Sequence, residues 1–204
     1  MKFITHSHQH ADAVFTNAEK KLVLDEILGV IRGISDYDLV SHFEAAKPSK
    51  SISKTINALL RVRLVALGWV AESPIFQAAG YKDKHWRLDF AKEPISVEVA
   101  FNHGEAIAWN LMKPVLASRL NHVEKAIQTD VGVVICTTKA MKTAGNFDNA
   151  VGEFEKFERY LNPLQEVLTA PILLVGLQPP DSFHIGQRKE GRKNVGFVVR
   201  HENF

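Results

Sequence analysis

The chain has 204 residues, enough to bury a sizeable core, and its 46% hydrophobic and 24% charged content is that of a globular protein, excluding disordered and fibrous classes. A net charge of +2 and a pI near 8.6 permit an anionic partner without requiring one. A single cysteine, Cys136, rules out an internal disulfide, and no apolar run approaches membrane-spanning length, so a soluble, cytoplasmic protein is expected.

Near the start, "HSHQH" puts His6, His8 and His10 on one face of a possible strand. Such a face could hold zinc, or be polar surface. "NAEKKLVLDEILGVIRGI" carries Leu24, Ile27, Leu28 and Ile31 at helical spacing behind a capping Asn17. "DYDLVSHFEAAKPSKS" is polar and broken by Pro48, and reads as a connection. "SKTINALLRVRLVALGW" is a second amphipathic helix, striped by Ile56, Leu59, Leu60, Leu64 and Leu67 and ended by Gly68. "KHWRLDFA" and "ISVEVAFN" have strand character, with Pro94 in the turn between them. "GEAIAWNLMKPVLASRLNHVEKAI" is helical on both sides of Pro114. "DVGVVICT" and "APILLVGLQP" are continuous apolar runs, the pattern of strands buried on both faces, and "NAVGEFEKFERYLNPLQEVL" between them is a helix. The tail "FHIGQRKEGRKNVGFVVR" reads as two short strands around a basic turn. This order predicts one α/β domain over residues 1–204, with a mixed central β-sheet flanked by helices on both faces.

The chemistry concentrates in "WRLDFAKEPISVEVAFN". Alternation sends Ile95, Val97, Val99 and Phe101 to one face, and Ser96, Glu98, Ala100 and Asn102 to the other. If the two runs form a hairpin about Pro94, Asp89 and Glu98 can lie side by side. Two converging carboxylates give an oxygen site for Mg²⁺, which keeps several waters and shares a substrate phosphate. The pattern alone favours Asp89 as a turn cap and Glu98 as the partner of a surface lysine, because acid pairs at this spacing are common by chance. No Walker or dinucleotide fingerprint is present, and Cys136, inside an apolar run, reads as a small hydrophobe.

These residues resemble the active-site hairpin of the BglII/BstYI group of type II restriction endonucleases, in the PD-(D/E)XK nuclease superfamily. That group has an Asp and, nine residues later, an acid in an "-EVQF-" strand. Here "LDF" and "VEVAF" put Asp89 and Glu98 at that spacing. The likeness extends through "HSHQHADAVF", "INALLRVRLVALGWVAES", "TDVGVVI" and "APILLVGL". It implies a restriction-endonuclease-like fold, Mg²⁺-dependent cleavage of double-stranded DNA with Asp89 and Glu98 as catalytic and metal-holding acids, and a cognate DNA methyltransferase in the same system. It also implies that the "HSHQH" block is a structural strand or turn. A short palindrome presents its half-site twice, so a homodimer is the economical reader.

The departure is Ala100, where the group has Gln and most of the superfamily Lys. A methyl cannot orient a water, so that role is either absent or moved. Asn102, one step along the strand face, and Glu105, at the start of the following helix, are the candidates for relocation, with His103 in the turn and Glu72 upstream as further neighbours. An inactivating alanine would leave a nuclease-fold DNA-binding protein without cleavage. For DNA contact, "TTKAMKTAGNFDNAVG" offers Lys139, Lys142, Asn146, Asp148 and Asn149 in a loop after a buried strand. "QRKEGRKN" offers Arg188, Lys189, Arg192 and Lys193 to phosphates, and the second helix adds Arg61 and Arg63. A metal-binding protein built on the N-terminal histidines is the reading from another class.

Overall fold

A computed structural model describes residues 1–81, 83–119 and 124–202. The two uninterrupted apolar runs occupy the centre. Strands β5 (Val131–Thr137) and β6 (Ile172–Leu177) are buried at every position and pair in parallel. A strand without a polar face has nowhere else to go. β4 (Ile95–Val99) lies parallel to β5, while β3 (Arg87–Lys92) and β2 (Val70–Pro74) follow antiparallel toward one edge. β1 (Phe3–His8) pairs antiparallel with β6 and closes the other, giving the order β1-β6-β5-β4-β3-β2. β7 (Phe183–Glu190) and β8 (Lys193–Arg200) form a separate antiparallel ribbon around Gly191, whose φ of 59° suits glycine.

The short α1 (Ala11–Val14) follows β1. Then α2 (Ala18–Gly33), α3 (Asp36–Ala45) and α4 (Ser53–Ala66) share one core with Ile95, Val97, Val131, Val133 and Ile135 on one face, α3 resting on α4 and β8. On the other, α5 (Ile107–Ser118) and α7 (Phe154–Leu161) cover Val134, Cys136, Ile172 and Leu174. Asn17 caps α2 as expected, accepting from the N–H groups of Glu19 and Lys20. Cys136 is fully buried, the small hydrophobe its sequence context implied.

Several expectations are corrected. Residues 36–45 are the helix α3: Ser35 and Asp38 form a capping box, and Leu39, Val40 and Phe43 supply a buried stripe. Pro48 falls after its end. The helix expected over 104–127 ends at Ser118; residues 120–123 lie outside the described residues, and 124–127 are not helical. The helix expected over 149–168 is confined to α7, because Val151 and Glu153 bridge to His103 and Thr137, and Pro163 offers no N–H to extend the ladder. β2 and α6 (Lys139–Ala144), a single turn and a half, had no clear periodicity to announce them.

Pro114 remains inside α5 and sets how that helix sits. A Cβ at Gly132 would come within 2.4 Å of the Pro114 Cβ and 2.9 Å of its Cγ, so only glycine lets the helix approach β5 this closely. Gly132→Ala is therefore expected to destabilise the protein by about 1–3 kcal/mol through overpacking. Thermal denaturation followed by circular dichroism checks it; an unchanged melting temperature would mean that α5 is not seated on Gly132.

Candidate active site

The β3–β4 hairpin pairs Phe90 with Val97, Ala91 with Ser96 and Lys92 with Ile95. One step further, side chains replace the backbone ladder. The Asp89 N–H donates to Glu98 Oε1 at 3.3 Å, and the Val99 N–H donates to Asp89 Oδ2 at 2.6 Å. The two acids therefore stand together, held by each other's strands. Glu98 is only 1% exposed, and the Lys113 Nζ from α5 donates to its Oε2 at 2.8 Å. Burial, then the adjacent Asp89 charge, pushes the Glu98 carboxyl up to about 8, against the pull of Lys113. Burial also raises Asp89, with the Val99 N–H and Lys113 opposing and Glu72 adding to the rise.

Beside this pair opens a cleft of about 180 Å³, lined by Asn57, Ala58 and Arg61 of α4 together with Glu72, Asp89, Phe90 and Val99. Glu72 adopts a φ of 53°, a left-handed conformation that costs a non-glycine residue free energy and recurs at functional sites. Its carboxylate lies 3.7 Å from Arg61. The helix that carries Arg61 and Asn57 thus forms the wall opposite the acids.

Ala100 is 1% exposed and packs among Ile107, Leu111, Val134 and Cys136, on the same strand face as Glu98. Asn102 is exposed and accepts from Asn110 Nδ2 at 2.8 Å; Glu105 is exposed in the 3₁₀ turn before α5. Neither relocation candidate contacts Glu98. The cation that does is Lys113, which the sequence reading missed. A signal existed: Lys113 is the one charged residue in the twelve of α5, "IAWNLMKPVLAS".

The loop expected to meet DNA is fastened directly beyond the acid-bearing strand. The Gly104 N–H donates to Ala150 O at 2.6 Å, and the Gly152 N–H to Asn102 O at 3.1 Å. Its residues divide. Lys142 is turned inward, its Nζ donating to Asn149 O, Val151 O and Glu153 Oε2 at 2.8, 3.3 and 2.9 Å, so it closes the loop. That replaces the DNA contact expected of it. Asn146, at φ 51°, donates to Lys50 O at 2.7 Å. Asp148 accepts from the Ala150 N–H and from Lys50, and these bonds hold its carboxyl below the usual range. The Lys139 and Asn149 side chains are exposed.

In the β7–β8 ribbon, Lys189, Arg192 and Lys193 are exposed, and Arg188 pairs with Glu190 at 2.8 Å while lying over Phe197. The ribbon joins the same end of the molecule through the Gly196 N–H, which donates to Ser49 O at 2.9 Å, next to Lys50. Arg63 is structural, its Nη2 donating to Asp38 Oδ2 at 2.8 Å between α4 and α3. The "HSHQH" block is edge strand β1 and its turn. His8 is buried against Leu168 O, and His6 lies 3.1 Å from Glu158. Among the described residues no group of three or more His, Cys, Asp or Glu side chains could hold a metal, so the zinc expectation finds no site.

Residues 3–177 match the family model described as restriction endonuclease BglII/BglIII. The chain belongs to the BglII/BglIII restriction endonuclease family. It is a type II restriction endonuclease, a site-specific deoxyribonuclease acting on DNA. Its fold is similar to the crystal structure of restriction endonuclease BglII complexed with a DNA 16-mer, with a TM-score of 0.69 and 19% identity over 98% of this chain and 100% of that one. The crystal structure of free BglII is similar at a TM-score of 0.59, with 18% identity and the same coverage. No curated protein sequence matches. Among the described residues no helix of the enzyme is long and apolar enough to cross a membrane.

The family works with a divalent metal, and the donor set here suits one. Glu98 is buried and Asp89 partly buried beside it at the cleft, and each acid disfavours ionisation of the pair, a cost that a divalent cation would relieve. Because folded Glu98 keeps its proton up to about pH 8, against an ordinary value of 4.5, the metal-free native state holds more protons than the unfolded chain through that window. Stability then falls as pH rises across it. Without divalent cations, the melting temperature is expected to drop between about pH 5 and pH 8, and Glu98→Gln to flatten the drop. Parallel profiles by calorimetry for the two proteins would show that Glu98 does not carry this dependence.

Proposed function

We propose that the enzyme hydrolyses both strands of a short palindromic DNA site with Mg²⁺, acting as a homodimer in which Asp89 and Glu98 of each subunit hold the ion. The observation that carries this reading is the acid pair at the end of the hairpin, Glu98 buried and Asp89 facing the cleft beside it. Bound there, Mg²⁺ would neutralise charge on the phosphodiester and lower the pKa of its water. The protein's own groups prepare the site. The Val99 N–H fixes the Asp89 carboxylate, Lys113 fixes that of Glu98, and the strand pair excludes water from Glu98. Arg61 and Asn57 on the opposite wall supply donors for phosphate oxygens.

Recognition falls to the loop after β5, with Lys139 and Asn149 as its exposed side chains, and Arg188 and Lys189 of the ribbon add phosphate contacts. The DNA 16-mer in the BglII complex supports a DNA substrate. The protein works as one domain over residues 1–204, in the cytoplasm, beside a methyltransferase that protects the host's own copies of the site.

Asp89→Ala and Glu98→Ala are each expected to slow plasmid cleavage in Mg²⁺ by at least about 10²–10⁴-fold, while DNA binding in Ca²⁺ persists. Loss of folding in both variants, seen by circular dichroism, would make the acids structural instead. For assembly, light scattering should give twice the 22.8 kDa chain mass, with a two-fold symmetric footprint on DNA. A monomer that cuts an asymmetric sequence would overturn the dimer.

A further inference from the structure

We infer that Lys113 is the positioning residue that stands in for the side chain missing at Ala100, bringing a positive charge to the metal-holding acids from helix α5 instead of from strand β4. This rests on the acid pair being the cutting site. Three observations carry it.

The strand position is closed. Ala100 shares the face of Glu98, but its methyl is sealed among Ile107, Leu111, Val134 and Cys136. A long polar side chain would have to displace that packing. The helix position, by contrast, is built. Asn110, three residues before Lys113, shares its side of the helix, and Pro114, the next residue, anchors the adjoining side. The first is tied to Asn102 at 2.8 Å, and the second is pressed onto Gly132 of β5. Gly132 is the register partner of Ser96, two residues before Glu98. Helix phase and height are thereby set, and Lys113 meets Glu98 at 2.8 Å with its own side chain 12% exposed.

The charge count is the third observation. A buried ion pair adds little stability over well-packed apolar residues. Here the lysine also faces two acids, Glu98 directly and Asp89 through its field, so it does not balance the site. Glu72 is engaged by Arg61 and does not alter that count. A lone lysine that holds Glu98 Oε2 fixes that acid's rotamer and leaves Asp89 facing the cleft, where a cation can meet it.

Lys113→Met and Lys113→Arg test this, with single-turnover cleavage in Mg²⁺, fluorescence anisotropy of DNA binding in Ca²⁺, and circular dichroism of each variant. The Met variant is expected to fold, to bind DNA like the parent, and to lose about 100-fold or more of the cleavage rate in kcat rather than KM. The Arg variant, which keeps the charge, should recover the larger part of that rate. If the Met variant fails to fold, Lys113→Gln takes its place in the comparison with Arg.

A folded neutral variant that cuts at the parental rate would overturn the inference. So would equal loss in the neutral and Arg variants, or DNA binding lost along with cleavage. The parent and Asp89→Ala separate this failure from that of the reading beneath it. If the parent cuts, Asp89→Ala does not and Lys113→Met does, only the inference falls. If Asp89→Ala cuts like the parent, both fall.

Discussion

A carboxylate with 1% of its surface exposed, in the middle strand of a sheet, cannot stay ionised on its own. Glu98 is that group, and much of the architecture answers to it. The Asp89 N–H reaches it from β3, where the hairpin ladder stops, and Lys113 reaches it from the helix laid across β4 and β5. Neither satisfies it fully, because the Asp89 carboxylate sits beside it and repels. The result is a pair of acids that cannot both ionise without cost, and a divalent cation between them would offset that cost.

The same constraint explains why the helices are not interchangeable. α5 carries the lysine and must lie close, so Gly132 gives way to Pro114. α4, on the other wall, brings Arg61 and Asn57 to the cleft without covering it. Beyond β4 the chain does not leave the site. Residues 102–104 are hydrogen-bonded to the loop 150–152, and Lys142 locks that loop from inside. Under the proposed function, a loop fastened to the strand that carries the acids would let base contact and catalytic geometry be set by one body, which is how positioning contributes to rate.

The acid pair was legible because strand alternation and a nine-residue separation are local properties. So were α2 and α4, marked by helical periodicity, and the buried strands, marked by unbroken apolar runs. α3 was misread because Pro48 and the charged residues around Leu39, Val40 and Phe43 hid a stripe that a Ser35–Asp38 capping box in fact opens. Lys142 was misread for another reason. A lysine in a polar loop looks like a ligand for phosphate, and only the closed loop shows that three acceptors already surround it.

The sequence by itself determined the strand pair, the two acids on it, the sheet they belong to and the absence of the family's third side chain at Ala100, since each follows from residues near one another in the chain. What occupies the place of that side chain was decided only in three dimensions. Lys113 stands fifteen residues from Glu98 on a separate helix, and no spacing rule connects them. Their meeting depends on the height and rotation of α5, which are fixed by Pro114 against Gly132 and by Asn110 against Asn102, contacts between segments that are joined only when the chain is packed.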